Sequence, residues 1–413
     1  MQASMAPVRP GERWEILDLL RGFALFGILV VNSMLFFGPL HDLVLPDPTW
    51  ARPADHWVRS FVTILFEGKF YTTFAFLFGV GAALQYRRCR RQERAFLPFF
   101  WRRMSGLLLI GLIHATMLWF GDILVMYAIC GFALAVLALL PQLFQRLLAL
   151  TLVLLPIALT VLIVVLFAWM SAIDETGDLA AIQAEQVETN RWLRDHALQT
   201  YPGGSWSEIL EVRLAELGAI YQFSIVLLPA ILGLMLIGFQ FGLTNFFRDV
   251  SRYRGRLMRW LPAAAIVGLG LSISLGWAER NGDPMGADGY SVLTVVAMQL
   301  GAPALAATYG IVIWHLHTTT VFGWIGPLLG PVGRMAATHY LLQSVVMTTI
   351  ANSWGLGLYG QISPAAGIAV AVGLFAVQIY LSQLWMARFT MGPVEWVWRV
   401  LTYGTRPALR RPC

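Results

Sequence analysis

The sequence predicts an all-α polytopic membrane protein of about ten transmembrane helices, with both termini in the cytoplasm. Three observations lead there. Apolar residues make up 58% of the 413-residue chain and charged residues only 13%, about half the charge content of a soluble domain. Mean hydropathy is +0.66, carried by apolar runs long enough to cross a hydrocarbon core of about 30 Å. Loop charge is also segregated. Residues 87–103 hold seven arginines against Glu93, and 248–259 hold five against Asp249, whereas 171–216 hold nine acids and three arginines. Alternating ten spans through these loops puts the termini and both arginine-rich loops inside and the acidic stretch outside. The net charge of +6 then reflects cytoplasmic loops rather than a nucleic-acid surface. The chain reads as a single integral membrane domain: 1–170 a five-helix half, 171–216 an acidic extracytoplasmic loop, and 217–413 the second half.

The first span, about 17–38, lies in EILDLLRGFALFGILVVNSMLFF (15–37). It holds two charges and no small-x-small exit, so it should remain as a helix rather than be cleaved as a signal. At about 100° per residue, Asp18, Arg21 and Asn32 fall on one stripe with Leu25 between them. Lipid does not tolerate such a stripe, so it should face the protein interior or a wet cavity. The other reading of Asp18 and Arg21 is anchoring at the membrane edge. Residues 52–66 follow as an interfacial amphipathic helix, with Trp57, Val58, Phe61, Val62 and Leu65 on one face.

The second span, about 69–86, begins after FEGKF, where Gly68 predicts a helix break between Glu67 and Lys69. Both charges should then lie near the outer surface, either as part of a site or as an interfacial ion pair. Spans three and four, about 104–120 and 122–140, form a tight hairpin. In GLIHATMLWFGDILVMY (111–127), the short apex brings His114 and Asp122 to similar depth. An imidazole held by a carboxylate is what a general base needs, and equally what pins a hairpin. Tyr127 in the same segment is a further polar candidate. With Asn32, Glu67 and Lys69, this pair makes five polar residues expected to converge in the outer half.

Span five runs about 147–170, and 171–216 has patchy helical character around 179–198. Spans six to ten are about 218–243, 258–277, 292–314, 332–351 and 365–387. In GPLLGPVGRMAATHYLLQS (326–344), Arg334, His339 and Gln343 step by five and four along span nine. The preceding Gly and Pro leave room for a ligand or for helix packing. Arg21 and Arg334 on the inner side suit phosphates of a cytoplasmic cofactor or lipid headgroups. Residues 391–404, MGPVEWVWRVLTYG, read as an amphipathic segment with Glu395 and Arg399 as an i, i+4 pair. Cys89, Cys130 and Cys413 are scattered, and neither a disulfide framework nor metal-ligand spacing is visible, so no metal is expected.

Five ordered segments, LDLLRGFALFGILVVN, EGKFYTTFAFLFGVG, GLIHATMLWFGDILVMY, GRMAATHYLLQS and GPVEWVWRVLTYG, resemble the successive motifs of the YeiB-like family of bacterial inner-membrane proteins. The resemblance runs from about Arg13 to Gly404, and the family's C-terminal half is a domain of unknown function. His339 stands where the family pattern usually has Asn. The first-helix pattern is also similar to that of transmembrane acyltransferases. That likeness implies an acyl group taken from cytoplasmic acyl-CoA and given to an outside hydroxyl or amine. Under it, Arg21 and Arg334, beside Asp18, hold the coenzyme's phosphates, and His114 with Asp122 deprotonates the acceptor. Asn32 or Lys69 stabilises the oxyanion. The alternative is a transporter or flippase of a small molecule or lipid, with the same charges forming a proton or substrate path. A structural or sensory protein without turnover is the third reading.

Overall fold

A computed structural model of the chain describes residues 14–174, 176–283 and 287–411, the side chain of Phe223 excepted. Arg13 and Cys413, named above, and Glu175, one of the nine acids counted in 171–216, lie outside these residues. The described residues form helices joined by short connections: α1 (Glu15–Phe37), α2 (Pro53–Leu65), α3 (Lys69–Arg91), α4 (Phe96–Met117), α5 (Leu124–Leu137), α6 (Gln142–Ile173), α7 (Asp178–Gly203) and α8 (Trp206–Leu243). Then come α9 (Arg254–Asn281), α10 (Gly289–Val296), which runs through a π-helical turn (Ala297–Gly301) into α11 (Ala302–His317), and α12 (Ile325–Arg334), α13 (Ala336–Ala351), α14 (Pro364–Arg388) and α15 (Pro393–Tyr403). Among the described residues, eight helical segments are long and apolar enough to cross a membrane. Each of the ten expected spans coincides with helix, although α5 has 14 residues and α13 has 16. The protein is an all-α, multi-pass membrane protein.

α1 is the hub, packing against α3, α11, α12, α13 and α14. Its Leu25 and Leu29 are wholly buried, as the polar stripe requires of its neighbours. A second core joins α3, α4, α5, α6 and α8 through Phe100, Met104, Leu134, Met235 and Phe239. α6 marks the periphery: Leu143, Leu147, Leu150, Leu162, Val165 and Trp169 stand exposed along it, a face suited to lipid.

The break expected at Gly68 is present. α2 ends at Leu65 and α3 starts at Lys69, and Gly68 between them takes φ +82°, a left-handed conformation that glycine adopts without strain. Two expectations need correction. The acidic stretch is helical almost throughout, because α7 runs to Gly203 and Ser205 starts α8 with a capping box to Glu208. Span nine is also not one helix. The chain breaks at Met335 (φ −113°, ψ 27°), so Arg334 ends α12 while His339 and Gln343 belong to α13.

That break lets α12 lie directly on α1. A Cβ on Gly333 would come within 2.8 Å of the Asp18 carbonyl carbon and 2.9 Å of the Gly22 nitrogen, both of them backbone atoms that cannot yield. Gly333→Leu should therefore destabilise the fold by at least about 2 kcal/mol through overpacking. It should be seen as a lowered melting temperature of the detergent-solubilised protein, and an unchanged melting temperature would refute the contact.

Candidate functional site

The helix contact just described delivers Arg334 to Asp18. The Asp18 carboxylate is buried and meets Arg21 Nη1 at 3.0 Å and Arg334 Nε at 3.6 Å. The pair expected on one helix is thus a three-residue cluster across two. Above it opens a cavity of about 360 Å³. Arg21, Arg88, Arg103, Arg334 and Arg399 lie on its wall at one end, and Leu25, Ile28, Phe74, Ile123 and Tyr340 line its depth. Its wall on α1 runs from Leu17 to Ile28, eleven residues or about 16 Å at helical rise. The cavity is therefore extended along α1, cationic at the mouth, where five arginines outnumber Asp18 and Glu395, and apolar at the floor. Tyr127 is on its wall, its hydroxyl donating to the Tyr71 carbonyl at 2.7 Å.

Glu395 does not pair with Arg399. Its carboxylate accepts from the Ala337 and Thr338 amides at 2.7 and 3.2 Å and from the Thr338 hydroxyl at 2.5 Å. It therefore caps α13, whose first amides have no partner within the helix, and leaves Arg399 to the cavity wall. Burial raises the pKa of this carboxyl against the lowering effect of those donors. Glu395→Ala should cost roughly 1–3 kcal/mol by orphaning the amides. Thermal unfolding checks it, and a loss within error would mean that the cap is dispensable.

A second cavity, about 220 Å³, lies at the other end of the first. Asn32, Asp122, Tyr71 and Tyr340 are its polar lining, and Val31, Leu35, Phe66, Phe70, Trp119, Met126 and Ile220 make up most of the rest. The two cavities share three lining residues, Ile28, Ile123 and Tyr340.

Behind this partition sits the histidine predicted from the hairpin. His114 Nδ1 lies 2.8 Å from Asp122 Oδ2, and His114 Nε2 lies 2.8 Å from Ser344 Oγ, all three residues being buried. Asp122 also accepts from the Leu124 and Val125 amides at 3.1 and 2.8 Å, which starts α5 and fixes the carboxylate. A carboxylate only accepts, so Nδ1 carries a proton, and in the neutral ring Nε2 accepts from the serine hydroxyl. The result is a carboxylate–imidazole–hydroxyl chain, the connectivity by which a base activates a hydroxyl. His114 lines neither cavity. Its ring packs at 5.1 Å against Tyr340, whose hydroxyl donates to the Gly121 carbonyl at 3.2 Å.

Not every expected residue joins this site. Thr63 gathers Glu67 and Lys69 instead: its hydroxyl lies 3.1 Å from Glu67 Oε2 and 2.9 Å from Glu279 Oε2, and its carbonyl accepts from Lys69 Nζ at 2.8 Å. Only the flanking Phe66, Gly68 and Phe70 reach the second cavity. The expected convergence of five residues divides into Asn32 and Asp122 with His114 on one side and Glu67 with Lys69 on the other. His339 and Gln343 face α14, bonded to Ser382 at 2.6 Å and Gln378 at 2.9 Å, and line neither cavity.

Several residues escaped the sequence reading. Tyr340 and Ser344 stand four apart in GRMAATHYLLQS, a helical spacing that was a usable signal. Glu279 sits in an unremarkable context, and Arg103 was read only as part of the arginine-rich 87–103 run, for phosphates or lipid headgroups. Arg213 looked like a loop arginine, yet it is buried and donates to the Thr116 and Met117 carbonyls at 3.1 and 2.8 Å, capping the helix that carries His114. One turn on, Glu216 accepts from the Tyr201 hydroxyl at 2.5 Å, and burial pushes its carboxyl up to about 8. A carboxyl raised on folding stabilises fully below its unfolded pKa of 4.5 and loses that contribution as pH climbs to about 8. Thermal stability should therefore fall relative to Glu216→Gln between those values, measured as the difference in melting temperature. A difference independent of pH would refute the assignment.

The chain is 30% identical over 420 residues to the uncharacterized protein YxaH of Bacillus subtilis, covering 97% of each. It is 27% identical over 404 residues to the uncharacterized protein YeiB of Escherichia coli, covering 95% of this chain and 96% of that one. The chain belongs to the YeiB-like family. Residues 241–405 match the family model described as Protein of unknown function (DUF418). A further relative, 25% identical over 419 residues, is an uncharacterized 39.9 kDa protein of Bacillus acidopullulyticus. All five segments by which the sequence resembles the YeiB-like family contribute lining to the two cavities. They supply α1, the Gly68 break with α3, the turn holding Asp122, the α12–α13 junction and α15.

Proposed function

We propose that the protein is a transmembrane acyltransferase of the bacterial inner membrane, taking its acyl group from cytoplasmic acyl-CoA. The observation that carries this reading is the pair of end-to-end cavities with a three-residue partition, one cationic at its mouth and the other beside Asp122. A donor with a polyanionic head and a long thin arm suits the first: guanidinium groups at the mouth hold phosphates, and the arm runs along α1 to the floor. The thioester carbon then stands at Ile28, Ile123 and Tyr340, within reach of an acceptor in the second cavity.

The acceptor's hydroxyl or amine attacks that carbon, the C–S bond breaks, and the acceptor's proton passes to His114 and from there to the departing coenzyme thiolate. Ser344 occupies Nε2 at rest and, like His114, lines neither cavity, so the proton reaches the imidazole only when Tyr340, which stands between the ring and the cavities, moves aside. Asn32, on the cavity wall, donates its amide N–H to the oxyanion. Lys69 is held at the Thr63 carbonyl, which leaves that role to Asn32.

The test begins with binding. Purified protein should bind acetyl-CoA, and Arg399→Ala, which leaves the Asp18 cluster intact, should weaken it at least tenfold without changing the melting profile. His114→Gln should bind as wild type and transfer about 10²–10⁴-fold more slowly. Ser344→Ala should share much of that loss. Undiminished transfer by His114→Gln would sink the mechanism.

A second reading, a transporter or flippase, is favoured by the thinness of the same partition, since two cavities divided by three side chains also describe a path closed at one point. It requires flux without coenzyme. Translocation by protein that binds no acetyl-CoA would select it.

A further inference from the structure

The second cavity has a composition that restricts what enters it. Of its lining, Asp122 has both oxygens engaged by His114 and by the Leu124 and Val125 amides, and the Tyr340 hydroxyl is engaged at Gly121. Asn32, by contrast, makes no side-chain hydrogen bond to any described residue and lies on the wall one helical turn beyond Ile28. The Tyr71 phenol and the Trp119 indole, whose Nε1 is buried without a partner, add two polar groups, and the rest of the wall is aliphatic, phenyl, methionine or glycine. On α1 the cavity extends from Ile28 to Leu35, about 10 Å of a helix that is apolar on both sides of Asn32. Leu35 stands two residues from the end of α1 at Phe37, and Phe66 and Gly68 bring the end of the interfacial α2 to the same cavity, so it lies where hydrocarbon meets the membrane surface.

A sugar brings several hydroxyl groups, each of which needs a partner when taken out of water. Beside the Asn32 amide the wall offers only the Trp119 N–H, which donates alone, and the Tyr71 hydroxyl, so a ring of hydroxyls leaves several unmet. A molecule with a single hydroxyl or amine on a hydrocarbon body meets this wall without orphaned polar groups. We propose that the second cavity binds a membrane lipid, with the lipid's hydroxyl or amine at Asn32 and its chain among Val31, Leu35, Phe70, Met126 and Ile220. The proposal rests on the acyl-transfer reading for what happens next: the lipid oxygen or nitrogen gains the acyl carbon, and the coenzyme leaves as the free thiol.

The test uses protein in bilayer discs of phosphatidylethanolamine and phosphatidylglycerol, doped with diacylglycerol, which carries one hydroxyl and no charge, bearing a photoactivatable diazirine in its acyl chain. After irradiation, peptides are mapped by mass spectrometry. Label is expected in the segments holding Phe70 and Met126, as well as along the exposed face of α6. Val31→Trp fills the cavity and should lower label at Phe70 and Met126 at least tenfold while leaving α6 labelled as before, which also reports an intact fold. Should Val31→Trp fail to fold, Leu35→Trp fills the same space from one turn away and is read identically. Label confined to α6 and the outer surface of wild type, or cavity label unaffected by the filling variants, overturns the proposal. Acetyl-CoA binding is measured on the same discs. Cavity label without coenzyme binding defeats acyl transfer and keeps the lipid site, whereas coenzyme binding without cavity label does the reverse. With both present, radiolabelled acetyl groups should extract into chloroform with the lipid, and their appearance on added glucosamine instead would refute a lipid acceptor.

Discussion

Asp18 is a carboxylate buried inside an apolar helix, and the way it is neutralised decides where the neighbouring helices go. In hydrocarbon an unpaired charge costs several kcal/mol, so the cations must come to it. Arg21 comes from the next turn of α1, and Arg334 comes from the end of α12. The second partner arrives only because Gly333 presents bare backbone to Asp18 and Gly22. Once α12 is held there, the break at Met335 starts α13 at the same depth, with Glu395 capping it from α15. α13 then carries Tyr340 to the partition and Ser344 to His114. One ion cluster thus sets both the mouth of the first cavity and the distant carboxylate–imidazole–hydroxyl chain.

Much of this was legible because membranes make polar residues conspicuous. The stripe on α1, the break at Gly68 and the His114–Asp122 hairpin each rest on local geometry: helical periodicity, a conformational preference, and a turn too short to let two side chains diverge. The misreadings share a cause as well. Glu67 and Lys69 were assigned to the His114 site by estimated depth alone, but depth does not say which way a side chain faces. Thr63 and Glu279, brought from α2 and α9, take them instead. Glu395 was paired with Arg399 by spacing, yet the free amides of α13 compete for a carboxylate more strongly than an exposed i, i+4 partner worth a few tenths of a kcal/mol. Arg213 and Glu216 were read as loop charges because an acidic stretch offers no periodic apolar face to mark what it buries.

The two ends of the path differ in chemistry, and that difference bears on which reading of the molecule is coherent. Arginines from five helices surround the first cavity, so an anion entering there gains at the mouth and finds nothing comparable beyond the partition. For carriage through the membrane the same anion would have to leave its guanidinium partners and cross Ile28, Ile123 and Tyr340 into a chamber whose one fixed charge, Asp122, repels it. Transfer of a neutral acyl group makes no such demand. The charged head stays where it is held, and only an uncharged carbon group passes from one apolar wall to the other. The asymmetry of charge that obstructs transport of an anion is what a membrane-crossing acyl transfer needs.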